Sequence, residues 1–64
     1  MSEEYFRNTR AELVKQFWFL KSKRMYLSAK ARVRKIADLD FEHLGVPKEE
    51  TLKKFKYDQI KSKM

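Results

Sequence analysis

A chain of 64 residues with 16 Lys and Arg, 9 Asp and Glu, one His and no Cys has room for one small domain, and its formal net charge is +7. Without Cys there is no disulfide staple and no thiolate metal site, and His43 cannot hold a metal ion alone, so no cofactor is expected. So small a domain is only marginally stable, and its aromatic residues, 14% of the chain, must supply much of the core or of an interface.

The chain opens Met1-Ser2-Glu3-Glu4, which has neither the charged nor the apolar region of a signal peptide. No apolar run approaches the ~18–20 residues of a membrane span; the longest covers residues 17–20. An intracellular protein of the cytoplasm or nucleoid is expected. Ser2 is a good helix N-cap, and Glu3 and Glu4 complement the positive helix end. A first helix over about 2–21 puts Phe6, Leu13, Phe17 and Leu20 on one stripe flanked by Val14, which is the expected core face. Trp18 and Phe19 project to either side of it.

Beyond residue 22 the pattern changes phase. Met25, Ala29, Val33, Ile36, Ala37 and Leu44 form a second stripe, rotated from the first. A break between Lys21 and Ser28 is expected, with Ser22 or Ser28 capping a second helix over about 24–44. The alternative is one helix exceeding ~60 Å at ~1.5 Å per residue, which is long for so small a chain. Asp40 would fall on the apolar stripe, so it is expected to cap a short final turn over 41–44. Gly45 then ends the helix in a left-handed conformation, Val46 is extended ahead of a proline, and Pro47 opens a third helix over about 47–61. On that helix Leu52 and Phe55 fall on one side and Tyr57 and Ile60 on another, among many lysines. No alternating run or hairpin dipeptide occurs. The expected fold is all-α: a small three-helix bundle or open helical array, with residues 1–64 as a single small domain.

Nothing in the chain has the form of a catalytic site. A single Gly excludes a Gly-rich phosphate loop, and so short a chain has little room for a substrate pocket. His43 beside Asp38, Asp40 and Glu42 reads as a surface histidine in an acidic turn. The chain is expected not to be an enzyme.

The strongest functional signal is residues 20–37, which hold Lys21, Lys23, Arg24, Lys30, Arg32, Arg34 and Lys35 and no acid. On a helix these cations flank the buried stripe, with Lys23, Lys30 and Arg34 on one side and Lys21, Arg24, Arg32 and Lys35 on the other. Lys53, Lys54 and Lys56 extend the surface if the third helix packs beside the second. Such a patch suits phosphate groups or an acidic protein face; the bland alternative is a solvated face that maintains solubility. Trp18, Phe19 and Tyr26 lie off the main stripe and are candidates to stack on bases or anchor a protein partner, unless the core takes them.

Residues 40–52, with Leu44-Gly45-Val46 followed by Thr51-Leu52, resemble the turn and recognition helix of small helix-turn-helix repressors. The pattern departs at Phe41, where that family prefers a small residue, and at Pro47, in a turn one residue longer. Glu49 and Glu50 would also face phosphates. The same residues resemble the second half of a ribbon-helix-helix, although 24–27 make a poor strand. No family is assigned from either. The expected function is a non-enzymatic, basic nucleic-acid-binding protein, such as a phage- or plasmid-type DNA-binding regulator, with DNA favoured over RNA. The alternative is a helical accessory subunit or inhibitor that docks on a larger protein complex through aromatics and charge. A peptide lying on an anionic membrane is disfavoured by Glu3, Glu4, Asp38 and Asp40. The sequence also allows oligomerisation.

Overall fold

The computed structural model describes residues 2–60. Three helices follow one another: α1 (Glu3–Ser22), α2 (Tyr26–Leu44) and α3 (Lys48–Lys54), with a 3-10 turn at Tyr57–Gln59. Among the described residues there is no strand, so the fold is a small all-α helical array, as the helical periodicity implied. The absence of a strand at 24–27 removes the ribbon-helix-helix resemblance. No helix of the described residues is long and apolar enough to cross a membrane.

α1 begins as expected: the Tyr5 N–H donates to Ser2 Oγ at 3.1 Å, with Glu3 and Glu4 in the first turn. The break after α1 also falls where the two stripes lose phase. It is made by backbone, however, and not by a serine cap. Arg24 takes a left-handed conformation with φ 61°. Its N–H donates to the Lys21 carbonyl at 3.0 Å, and the Met25 N–H donates to that of Leu20 at 2.9 Å. These bonds take up the orphan carbonyls of the α1 end. Ser22 Oγ instead donates to the Phe19 carbonyl at 2.8 Å, and α2 starts without a side-chain cap.

α1 and α2 run antiparallel, as their cross-contacts show. Phe6 stacks on His43 with ring centroids 4.1 Å apart, Arg10 meets Asp40, and Arg32 Nε donates to Gln16 Oε1 at 2.8 Å. α2 is the middle element, packing on α1 and on α3. The array is long and thin, 38 × 20 × 13 Å between Cα atoms.

Phe17, Ala29, Val33 and Ile60 form the buried core cluster, with Leu20, Tyr26, Leu52, Phe55 and Tyr57 packed against it. Ile36, Ala37, Leu39 and Phe6 are buried as well. The first stripe is buried at Phe6 and Phe17, with Leu13 and Leu20 half-buried, whereas the second is buried from Ala29 to Ala37 and bare at both ends. Met25 and Leu44 are exposed, because the third layer is too short to cover the tips of α2.

Asp40 corrects the sequence-based expectation. It caps nothing: α2 runs through it to Leu44, and Asp40 is 4% exposed. Arg10 Nε donates to Asp40 Oδ1 at 2.9 Å and Arg10 Nη2 to Oδ2 at 3.2 Å. Thr51 Oγ1 donates to Oδ2 at 2.9 Å. One carboxylate thus ties α1, α2 and α3 together. His43 is corrected too: its stack on Phe6 leaves it half-buried, not on an open acidic turn.

The helix end at Gly45 is as expected, with φ 71°. A Cβ placed there meets no atom within 4 Å, so Gly45→Ala is strained by backbone alone. A loss of on the order of 1 kcal/mol is expected, with a smaller loss for Gly45→Asn. Urea midpoints for the two variants check both values; an unchanged midpoint for the alanine variant would show that the left-handed turn carries no strain. The third helix is shorter than expected. It stops at Lys54, and Lys56 turns left-handed at φ 53°. This kink carries Tyr57 and Ile60 back onto the core, a packing gain that outweighs continued helix. The expected end of that helix at 61 lies outside the described residues.

Candidate functional site

The antiparallel hairpin sorts charge by position. Residues 13–35 contain no acid, and they fold into the half of the molecule around the α1–α2 turn. The 3-10 turn comes back to this half, with Asp58 as its acid among the described residues. The opposite half gathers residues 3–12 with 36–50, where Glu3, Glu4, Glu12, Asp38, Asp40, Glu42, Glu49 and Glu50 face Arg7, Arg10 and Lys48, with Lys54 of α3 beside Glu50. Each of the first three cations is ion-paired: Arg7 with Glu3 at 3.6 Å, Arg10 with Asp40, and Lys48 with Asp38 at 3.0 Å. In the basic half no ion pair forms among the described residues. The molecule therefore has a basic end and an acidic end.

The cations of the basic end fall into three groups. Lys21, Lys23 and Lys30 lie over aromatic rings: Lys21 Nζ is 5.2 Å from the Trp18 ring, Lys23 Nζ 5.7 Å from Phe19, and Lys30 Nζ 4.5 Å from Tyr57. Arg32 is half-buried and tied to Gln16 on the α1 side. Lys15, Arg24, Arg34 and Lys35 stand exposed, Arg34 at the border of the two halves in a hollow with Asp38 and Lys48. The two flanks expected along a second helix are not continuous: Lys21 belongs to α1, and Lys23 and Arg24 to the turn, while on α2 Arg32 turns to α1 and Lys30 to the segment after α3.

Lys53 and Lys54 do not join this surface. Lys53 lines a shallow hollow with Glu49, Leu52 and Asp58, and Lys54 faces a groove with Phe6, Arg10, Leu44 and Glu50. Lys56 does join it, because its left-handed turn sets it in one groove with Lys21, Tyr26 and Ile60. Nothing in the sequence marks a lysine for that conformation.

Of the candidate anchors, Trp18 is 55% and Phe19 59% exposed, and both sit at the basic end. Tyr26 packs against the core cluster, so its ring has a structural task. Two further apolar residues, Met25 and Leu27, stand exposed beside them. They escaped the sequence reading, because Met25 fits the core stripe and only the short third layer leaves it bare.

This surface can hold a polyanion by charge, with flat apolar rings between the cations. No protein-family model matches the chain, and no curated protein or solved structure matches it either.

Proposed function

We propose that the protein is a non-enzymatic nucleic-acid-binding protein of the cell interior that meets its ligand end-on, through the α1–α2 turn. The observation that carries this reading is the basic end itself: its cations are unpaired while every ion pair of the described residues lies in the opposite half. Cations without partners repel one another, and a polyanion relieves that repulsion while releasing its own counterions. The acidic half explains the end-on orientation, since a side-on approach would press Glu42 and Glu49 against phosphates. It also disfavours the helix-turn-helix mode, in which α3 would enter the groove: α3 is only seven residues long and begins with Glu49 and Glu50 in its first turn. DNA is the favoured ligand, in the manner of a small phage- or plasmid-type regulator.

Arg24, Arg34 and Lys35 are the residues to reverse, because their side chains are exposed and take part in none of the hydrogen bonds that tie the helices together. Binding of wild type to duplex DNA should weaken with salt at a log–log slope of about −0.9 for each phosphate contacted. Reversal of all three to Glu should abolish binding and leave the circular dichroism spectrum intact. Equal, salt-independent binding by both proteins would overturn the reading. It would favour the second one, a helical accessory subunit that docks on a larger complex through Trp18 and Phe19, whose exposure is the observation on its side.

A further inference from the structure

The large apolar side chains left exposed gather at the two ends. Trp18, Phe19, Met25 and Leu27 stand at the basic end, and Tyr5, Phe41 and Leu44 at the acidic end. Among the described residues none stands exposed along the flanks between. Each end is thus an apolar patch in a field of one net sign, negative at the acidic end even with Lys48 Nζ 5.6 Å from the Phe41 ring and Lys54 beside Leu44, and the two net fields are opposite. We propose that these ends fit each other between copies: the acidic end of one molecule docks head-to-tail on the basic end of the next.

Charge complementarity carries the choice of partner. Like ends cannot meet, because basic would face basic. A side-by-side antiparallel pair would have to press the flanks together, and the flanks expose no large apolar side chain. End-to-end contact covers both patches and neutralises both fields. It is also heterologous, so each added copy leaves the same two ends free, and association continues beyond a dimer unless the rotation closes a ring.

Screening determines when this holds. The molecule is 38 Å long, while the Debye length is about 10 Å at 0.1 M salt. The net charge of +7 on each copy is then felt mainly at the contact, where the signs are opposite. At about 0.01 M the screening length grows to about 30 Å, and whole-molecule repulsion returns. Association should therefore be present near 0.1 M, and absent near 1 M, where the contact itself is screened. The end is small in cross-section, 20 × 13 Å between Cα atoms, which puts the interface in the weak, transient class. The acceptor is the same cationic end that the proposed function assigns to nucleic acid, so the two ligands compete for it.

Sedimentation equilibrium tests the proposal. At about 0.1 M salt, the mass of wild type should rise above the 7.8 kDa monomer with concentration and pass the dimer without a plateau. Two neutralised variants separate the ends, and all their positions are exposed, so folding is retained. One carries Lys23, Arg24 and Lys35 replaced by Gln; the other carries Glu4, Glu42 and Glu49 replaced by Gln. Each alone should remain monomeric, and their equimolar mixture should reach twice the monomer mass and stop. On concentrating wild type, amide shifts in a two-dimensional nuclear magnetic resonance spectrum should move at both ends and not between them. A wild type that stays at 7.8 kDa up to millimolar concentration, or a dimer that survives either neutralisation, would overturn the proposal. An added DNA oligonucleotide should dissolve the chains. Chains that persist beside it would leave this proposal standing and count against the nucleic-acid reading alone.

Discussion

Replacing Arg10 by Ala is expected to cost about 3–5 kcal/mol, the range found when one partner of a buried ion pair is removed. The Asp40 side chain is 6% exposed, so without Arg10 its carboxylate would be left in the interior with the Thr51 hydroxyl as its only donor. At roughly 0.05–0.15 kcal/mol per residue, a chain of this length has a total margin of about 3–10 kcal/mol. The loss therefore approaches the whole margin at its low end.

The pair should also respond unequally. The Arg10 side chain is 29% exposed, so a guanidinium stripped of Asp40 can turn to water. Asp40→Ala removes those two hydrogen bonds and the one from Thr51 Oγ1 as well, but it leaves no charge in the interior, so it should still cost less than Arg10→Ala. Thr51→Val removes only a neutral donor and should cost about 1–2 kcal/mol. Replacing all three together by apolar residues of similar volume, Arg10→Met, Asp40→Leu and Thr51→Val, should recover most of the loss, since no buried charge then remains. Guanidinium unfolding followed by circular dichroism ranks the four proteins. If Asp40→Ala proves worse than Arg10→Ala, the exposure of Arg10 is not what sets the balance.

This tie between helices shows where the sequence ceased to be readable. The helices themselves were legible, because Ser2, the phase change after residue 22, and Gly45-Val46-Pro47 are local signals. Asp40 was not, since its partners lie 30 and 11 residues away, and an acid on an apolar stripe reads locally as a helix end. The left-handed turns at Arg24 and Lys56 carry no glycine to announce them, so the end of the third helix was placed too late. The site shows the same division. Its charge was visible as an acid-free run of sequence. The basic end as a shape required the antiparallel pairing of α1 with α2, which also gathers the acids at the far end. Lys54 and Lys56, two residues apart in a lysine-rich stretch, land on different surfaces because one left-handed residue separates helix from turn.

Phe17→Ala is expected to cost about 3–5 kcal/mol, as a large aromatic cut from a core. Phe17 is 0% exposed and is the largest fully buried side chain. Phe55 meets its ring edge-on at 5.3 Å between centroids, and Trp18 does so at 5.0 Å. Ala29 and Val33 of α2 and Ile60 belong to the same cluster, so one ring joins all layers of the basic half. In so thin an array few side chains remain to collapse into the space. Phe19 provides the control. It is the same residue type two positions on, yet it is 59% exposed, and Phe19→Ala should change stability by no more than about 0.5 kcal/mol. Urea unfolding followed by the single Trp, Trp18, which touches Phe17 directly, reports the core loss at its source. The Phe17 variant should show no cooperative transition or one shifted to low urea, and the Phe19 variant should overlay wild type. Two transitions shifted alike would mean that the interior lies elsewhere than between Phe17, Val33 and Ile60. A Phe19 variant that stays as stable as wild type but loses its partner would assign that ring to the interface.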